Sequence, residues 1–307
     1  MKGKAALRRT INIAAAAAAA IGLALVALVW GLSGGGGSVV WAQDGLRAYR
    51  NADSVVLMTQ RNLSDVTAIF VDAASADVEF VAADSFGFEV KTLDGEPEWS
   101  LENGVLRVSE HASGTVSLWA LNLDAGNSPH ITIFCPSGAV LDQLNVKSVS
   151  GTIRANGPIS EVRRSVEIST GSGGIQLDAL KTKQLNLATV SGSVESQGVS
   201  ADSAQVGTGS GKIEFRDFAG YLDANSTSGG IAISGDYTGG TLESGSGRIQ
   251  LTTSQPLERF NYRLETGSGG IRVNGAEVGN PAISDSPGGS ELSAKSVSGS
   301  IDIEFAR

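Results

Sequence analysis

The sequence predicts an all-β fold: a β-solenoid (β-helix) of Ser-Gly-x-Ile rungs, about 18–22 residues each, preceded by one N-terminal transmembrane helix. Three observations predict it. The unit Ser-Gly-x-Ile/Val occurs eight times between residues 144 and 303, apolar residues step outward from each unit in twos, and an uncharged run follows a basic N-terminus. The units begin at Ser150-Gly151, Ser172-Gly173, Ser191-Gly192, Ser210-Gly211, Ser228-Gly229, Ser246-Gly247, Ser268-Gly269 and Ser298-Gly299. Their serines are 22, 19, 19, 18, 18, 22 and 30 residues apart. A near-constant period of this size marks stacked supersecondary units.

Aligned on the serine, the repeats form columns. Six residues before it stand Leu144, Val166, Leu185, Ala204, Leu222, Gly240, Tyr262 and Leu292. Four before stand Val146, Ile168, Leu187, Val206, Ala224, Leu242, Leu264 and Ala294. Two before, every residue carries a hydroxyl, and three after, every residue is Ile or Val. Alternation is the mark of a strand with one face inward. The phase changes from even to odd across the Ser-Gly, so the chain turns there, and glycine suits a turn that needs φ > 0. The hydroxyls are expected to bond local backbone at that corner. One rung cannot bury its apolar side alone; stacking at ~4.8 Å would join equivalent strands into parallel sheets. A β-sandwich or prism of the same repeats is the alternative architecture.

The chain starts with a basic tail, residues 1–10, carrying Lys2, Lys4, Arg8 and Arg9 and no acid. Residues 11–32 are uncharged, and a run of that length can span a bilayer. The basic flank places the N-terminus in the cytoplasm and the C-terminal domain on the extracytoplasmic side of the cell membrane. A cleaved signal sequence is the competing reading, with Val40-Trp41-Ala42 as a small-residue cleavage site. Residues 33–65 form a Gly/Ser-rich linker, with Gly34 to Gly37 as a flexible spacer, and an undefined segment. Without residues 1–32 there remain 19 basic and 32 acidic residues, a net charge of −13. That balance disfavours nucleic acid and anionic lipid heads as partners.

The β-strand-repeat domain is expected over residues 66–307, with regular rungs from 144. Ile69, Val71 and Ala73, then Ser75-Ala76-Asp77-Val78 and Phe80, repeat the register in degenerate form. Short strands follow at 88–90, 104–108 and 116–121. Ser113-Gly114-Thr115-Val116 resembles a unit, but Ser109 and Arg107 stand where its columns need apolar residues. Ile131, Ile133 and Cys135 share one face of a strand ended by Pro136. The 30-residue spacing near the end reads as a loop inserted between the last two rungs, with Ile303 and Phe305 capping the stack.

Little in the chain suggests chemistry, and no catalytic, metal or cofactor residues are assigned. Cys135 is the only cysteine, and a five-residue gap puts His130 on the opposite face of an extended strand. Two histidines are too few for a zinc site without carboxylates. Calcium-binding repeat rolls need an aspartate in each turn; here Thr152, Gly174, Ser193, Lys212, Gly230, Arg248, Gly270 and Ser300 follow the glycines. Asp202, Glu214, Asp217 and Asp223 are close in sequence but at unlike positions of the rung, against a glycosidase pair.

The stretches Ile131-Thr132-Ile133-Phe134-Cys135-Pro136 and Leu144 to Ile153, the repeated Ser-Gly-x-Ile units, and Val71 to Phe80 resemble the bacterial putative-adhesin family of cell-envelope proteins. The resemblance spans about residues 66–307. It implies a β-strand-repeat domain displayed at the envelope, often on a membrane anchor, with some relatives tied to envelope-stress or antimicrobial-peptide responses. The acid that commonly follows the family's glycine is missing from all eight regular repeats. The expected function is a non-enzymatic, membrane-anchored display or adhesion module whose partner is a cell-wall polymer or an envelope protein. The alternatives are an accessory sensor of envelope stress and a polysaccharide-processing β-helix enzyme.

Overall fold

The computed structural model describes residues 37–42, 45–50, 56–92, 95–112, 121–122 and 129–306. The expected transmembrane segment, residues 11–32, and the Ser113 unit lie outside them. Among the described residues no helix is long and apolar enough to cross a membrane. The chain divides into two units. The smaller holds an antiparallel pair, Gly37–Ala42 with Gly45–Arg50, and Leu121–Asn122 pairs with the first of these. Residues 43–65, which show no clear pattern in sequence, thus contain Gly45–Arg50 and also the strand Val56–Leu63, which belongs to the larger unit from Leu57 on.

The larger unit is all-β, and equivalent strands of successive repeats pair in parallel. The column after the glycine runs unbroken through Ile153, Ile175, Val194, Ile213, Ile231 and Ile249. None of its eight members is more than 1% exposed. Each contributes about 1.5–3 kcal/mol by leaving water. The inward columns before the serine are buried as well, apart from Tyr262, which is half-buried.

A rung also has a third inward segment that the serine alignment does not reveal. Leu141, Val162, Thr182, Ala201 and Gly220 stack in register there. Irregular pairing follows at Leu141/Gln143 and Val162/Ser165, where the strand bends. The two arginines Arg163 and Arg164 fall in that irregularity, so part of the variation in repeat length is absorbed at this bend.

The stacking order departs from the chain order. Repeat eight does not follow repeat seven; it lies between six and seven. Leu292, Ala294 and Ser296 pair with Gly240, Leu242 and Ser244 on one side and with Tyr262, Leu264 and Thr266 on the other. Ile301 sits between Ile249 and Ile271. The long spacing is therefore a return path, not a loop between neighbours. Its strands Ala276–Val278 and Ala282–Ser284 pair antiparallel with the outer edge of repeat seven. This covers backbone groups that a terminal parallel strand would leave open to other chains. It also corrects the expected cap: Ile303 lies between Leu251 and Val273 inside the stack, and Phe305 packs on Phe260 with centroids 5.3 Å apart.

At the other end the degenerate rung stacks as expected, Ile69 on Leu144, Val71 on Val146 and Val78 on Ile153. One more rung lies beyond it, assembled from Val105–Ala112 and His130–Pro136. Phe86–Thr92 then pairs antiparallel with His130–Pro136.

Candidate binding surfaces of the solenoid

The Ser-Gly corner is structural. In the first six repeats the hydroxyl two residues before the serine accepts from the glycine N–H of its own repeat, and in all eight it donates to the corner carbonyl of the preceding rung of the stack. Thr189 Oγ1 accepts from Gly192 N at 3.0 Å and donates to Gly173 O at 2.9 Å. Thr170 and Thr208 repeat the pattern onto Gly151 and Gly192, each within 3.2 Å. In the displaced rungs Ser296 donates to Gly247 O and Thr266 to Gly299 O, following the stack and not the chain. The ladder starts at Ser148, which donates to Ala76 O of the degenerate rung. In the rung beyond, Glu110 stands at the hydroxyl position opposite Ala73, accepting from Ala74 N, Ser75 N and Thr92 Oγ1.

Space, rather than a positive φ, is what requires glycine here. Of the eight corner glycines only Gly269 has φ > 0. A Cβ on Gly192 would sit 1.8 Å from Gly173 O, and one on Gly211 1.8 Å from Gly192 O. Adjacent corners approach too closely for any side chain. The serines Ser150, Ser172, Ser191, Ser210, Ser228, Ser246, Ser268 and Ser298 stand outside on this corner, exposed.

The residues that could bind a partner are those between the inward columns. On the strand after the glycine, the outward side chains in register are Glu79, Arg154, Gln176, Glu195 and Glu214. The next outward row is Asn156, Asp178, Gln197 and Arg216. Of these, Asn156, Gln176, Asp178, Glu195, Gln197, Glu214 and Arg216 line a shallow polar cavity of about 200 Å³. Lys212 and Arg216 hold Glu214 from two sides at 2.5 and 2.6 Å. The Lys212 hydrogen bond, foremost, keeps the Glu214 carboxyl below its ordinary value of 4.5. Behind this face the buried hydroxyl of Ser196 occupies an inward position between Leu177 and Phe215 with no protein hydrogen-bond partner.

The strand before the serine carries a second depression, about 290 Å³, floored by Ser169, Ala188 and Gly207 and walled by Glu167, Asn186, Gln205 and Asn225. The four acids noted in the sequence do not converge. Glu214 faces the first surface, while Asp223 belongs to the second and accepts from Thr241 N at 2.8 Å. Asp217 sits at a bend with φ 53°, and Asp202 at an irregularity of the third segment. Cys135 points into the core, where burial pushes its thiol up to about 12. His130 lies on the other face, 3.5 Å from Glu79. Among the described residues no group of three or more His, Cys, Asp or Glu could hold a metal ion.

Residues 66–304 match the family model described as Toastrack DUF4097, and the chain belongs to that family. Solved structures similar to it include a putative adhesin from Bacteroides fragilis, 15% identical, covering 82% of this chain and 98% of that one at a TM-score of 0.49. A putative lipid binding protein from Parabacteroides distasonis is 19% identical over 83% and 98% of the two chains, TM-score 0.47. A putative adhesin from the same species is 14% identical over 82% and 98%, TM-score 0.48. No curated protein matches the chain. The adhesin-like resemblance read from the repeats therefore holds at the level of family.

Proposed function

We propose that this protein is a non-enzymatic binding module, held at the membrane by residues 11–32, that presents its solenoid to a hydroxyl-rich cell-wall polymer. One observation carries the reading: the outward ladder of Gln176, Gln197, Asn156, Asp178 and Glu195, which lines the 200 Å³ polar cavity. Amides and carboxylates repeated at the rung spacing of ~4.8 Å offer a row of donors and acceptors along a line. A chain of sugar rings presents hydroxyls along a line in the same way. The dispersal of Asp202, Glu214, Asp217 and Asp223 over different segments favours binding over hydrolysis, which needs two carboxyls flanking one bond.

The test is co-sedimentation of the full chain in mild detergent with purified cell-wall sacculi, and separately with lipid vesicles. Pelleting with sacculi, reduced several-fold by Gln176→Ala with Gln197→Ala at unchanged thermal stability, is the expected result. Pelleting with vesicles alone, or pelleting indifferent to those substitutions, would contradict it.

A further inference from the structure

The residue just before each serine forms a column on the exposed corner. In chain order it reads Val149, Gly171, Val190, Gly209, Thr227, Gly245, Gly267, Val297, and the pattern breaks at the end. In stacking order, with repeat eight between six and seven, it alternates without exception: a β-branched residue on one rung, glycine on the next. Corner hydrogen bonds follow the same order, from Ser298 N to Gly245 O and from Ser268 N to Val297 O, both 3.1 Å. The knobs are open to solvent: Val149, Val190 and Val297 are 69, 66 and 60% exposed. The glycines between them are gaps.

An even number of alternating knobs and gaps is complementary to itself when turned end for end. A two-fold axis crossing the ridge between the fourth and fifth rungs sets Val149 against the partner copy's Gly267, Gly171 against Val297, Val190 against Gly245, and Gly209 against Thr227. Every knob meets a gap. Side by side in the same direction, knobs would meet knobs. The flanking charges agree. Exposed Lys147 comes opposite Glu265, itself about one-third exposed, and no like charges come opposite each other in either flanking column.

We propose that a second copy of this chain docks on this ridge, antiparallel, in an isologous two-fold dimer. The strip is eight rungs long, about 38 Å at the rung spacing, so with a width of about 10 Å it covers on the order of 400 Å² per partner. That is about half of a standard interface, so the dimer is weak and forms at high local concentration.

Cysteine cross-linking of the full chain tests it, because native Cys135 is buried. Thr227 lies next to the axis, offset from its own mate by only about one rung (~4.8 Å) along the ridge, so a close knob-in-gap contact brings the two Cα atoms to about the ~7 Å that a disulfide allows. Val297, equally open, lies about five rungs or ~24 Å from its mate. Thr227→Cys is expected to give a disulfide-linked dimer at high protein concentration and Val297→Cys none. Adding Lys147→Glu should lower the yield several-fold, and adding Glu265→Lys on top should restore it. Equal yields at the two positions, no dimer from Thr227→Cys, or a yield indifferent to the charge reversals would overturn the proposal.

Discussion

Ile231 and Lys212 stand at neighbouring rungs of one strand stack and show how far the effect of a residue depends on its column. Ile231 is 1% exposed between Ile213 and Ile249. Ile231→Asp buries a charge with no partner, a cost of several kcal/mol, and should unfold neighbouring rungs in a thermal melt. Lys212 is an exposed corner residue whose ion pair with Glu214 is worth under about 1 kcal/mol. Because that pair lowers the folded pKa of Glu214, its contribution is present at neutral pH and lost as pH falls through that lowered value. Lys212→Asp should therefore lower the melting temperature slightly at pH 7 and not at all in strong acid. Comparable melting losses for Ile231→Asp and Lys212→Asp would contradict the register. The hydroxyl ladder makes a separate prediction. Thr189→Val leaves Gly192 N–H and Gly173 C=O without their side-chain partner, costing about 1–3 kcal/mol, while Thr189→Ser keeps both bonds. Equal losses in the two variants, read by urea denaturation, would show that the hydroxyl matters only as packing.

At the scale of the rung, the inward columns were legible in the sequence because alternation about a fixed Ser-Gly is a local signal. The serine alignment also placed Ala73 and Ala76 of the degenerate rung where the structure has them. The third segment was not legible: Val162, Thr182, Ala201 and Gly220 share one column but not one residue type, and irregular pairing shifts their distance from the serine. Nor was the position of repeat eight, since any repeat offers the same Ile to either neighbour and only the return strands Ala276–Val278 and Ala282–Ser284 decide which edge is free. The polar cavity was hidden for a related reason. Gln176, Gln197 and Asp178 read as ordinary outward residues until stacking sets them side by side. Among the described residues, repeat seven has repeat eight as its only parallel partner. A chain ended after residue 289 should lose hydrogen-exchange protection at Leu264 and Ile271 as well, while Ile153 to Ile213 stay protected. Continued protection at Ile271 would refute that dependence.

For the molecule as a whole, the order of the rungs underlies the ridge proposed for its outer corner. It closes the far edge of the stack, and it turns a broken Val/Gly pattern into a regular ridge. Paired cysteines at the outward positions three residues before the serines report the order directly. Glu243 is beside Lys295, and Lys295 is beside Glu265, whereas Glu243 and Glu265 are two rungs apart. The measurement is oxidative cross-linking of the three double variants, each read as an intramolecular disulfide by mass spectrometry. Glu243→Cys with Lys295→Cys, and Lys295→Cys with Glu265→Cys, should both close, and Glu243→Cys with Glu265→Cys should stay reduced. Closure of the 243–265 pair with failure of the 243–295 pair would put the rungs in chain order and contradict the account.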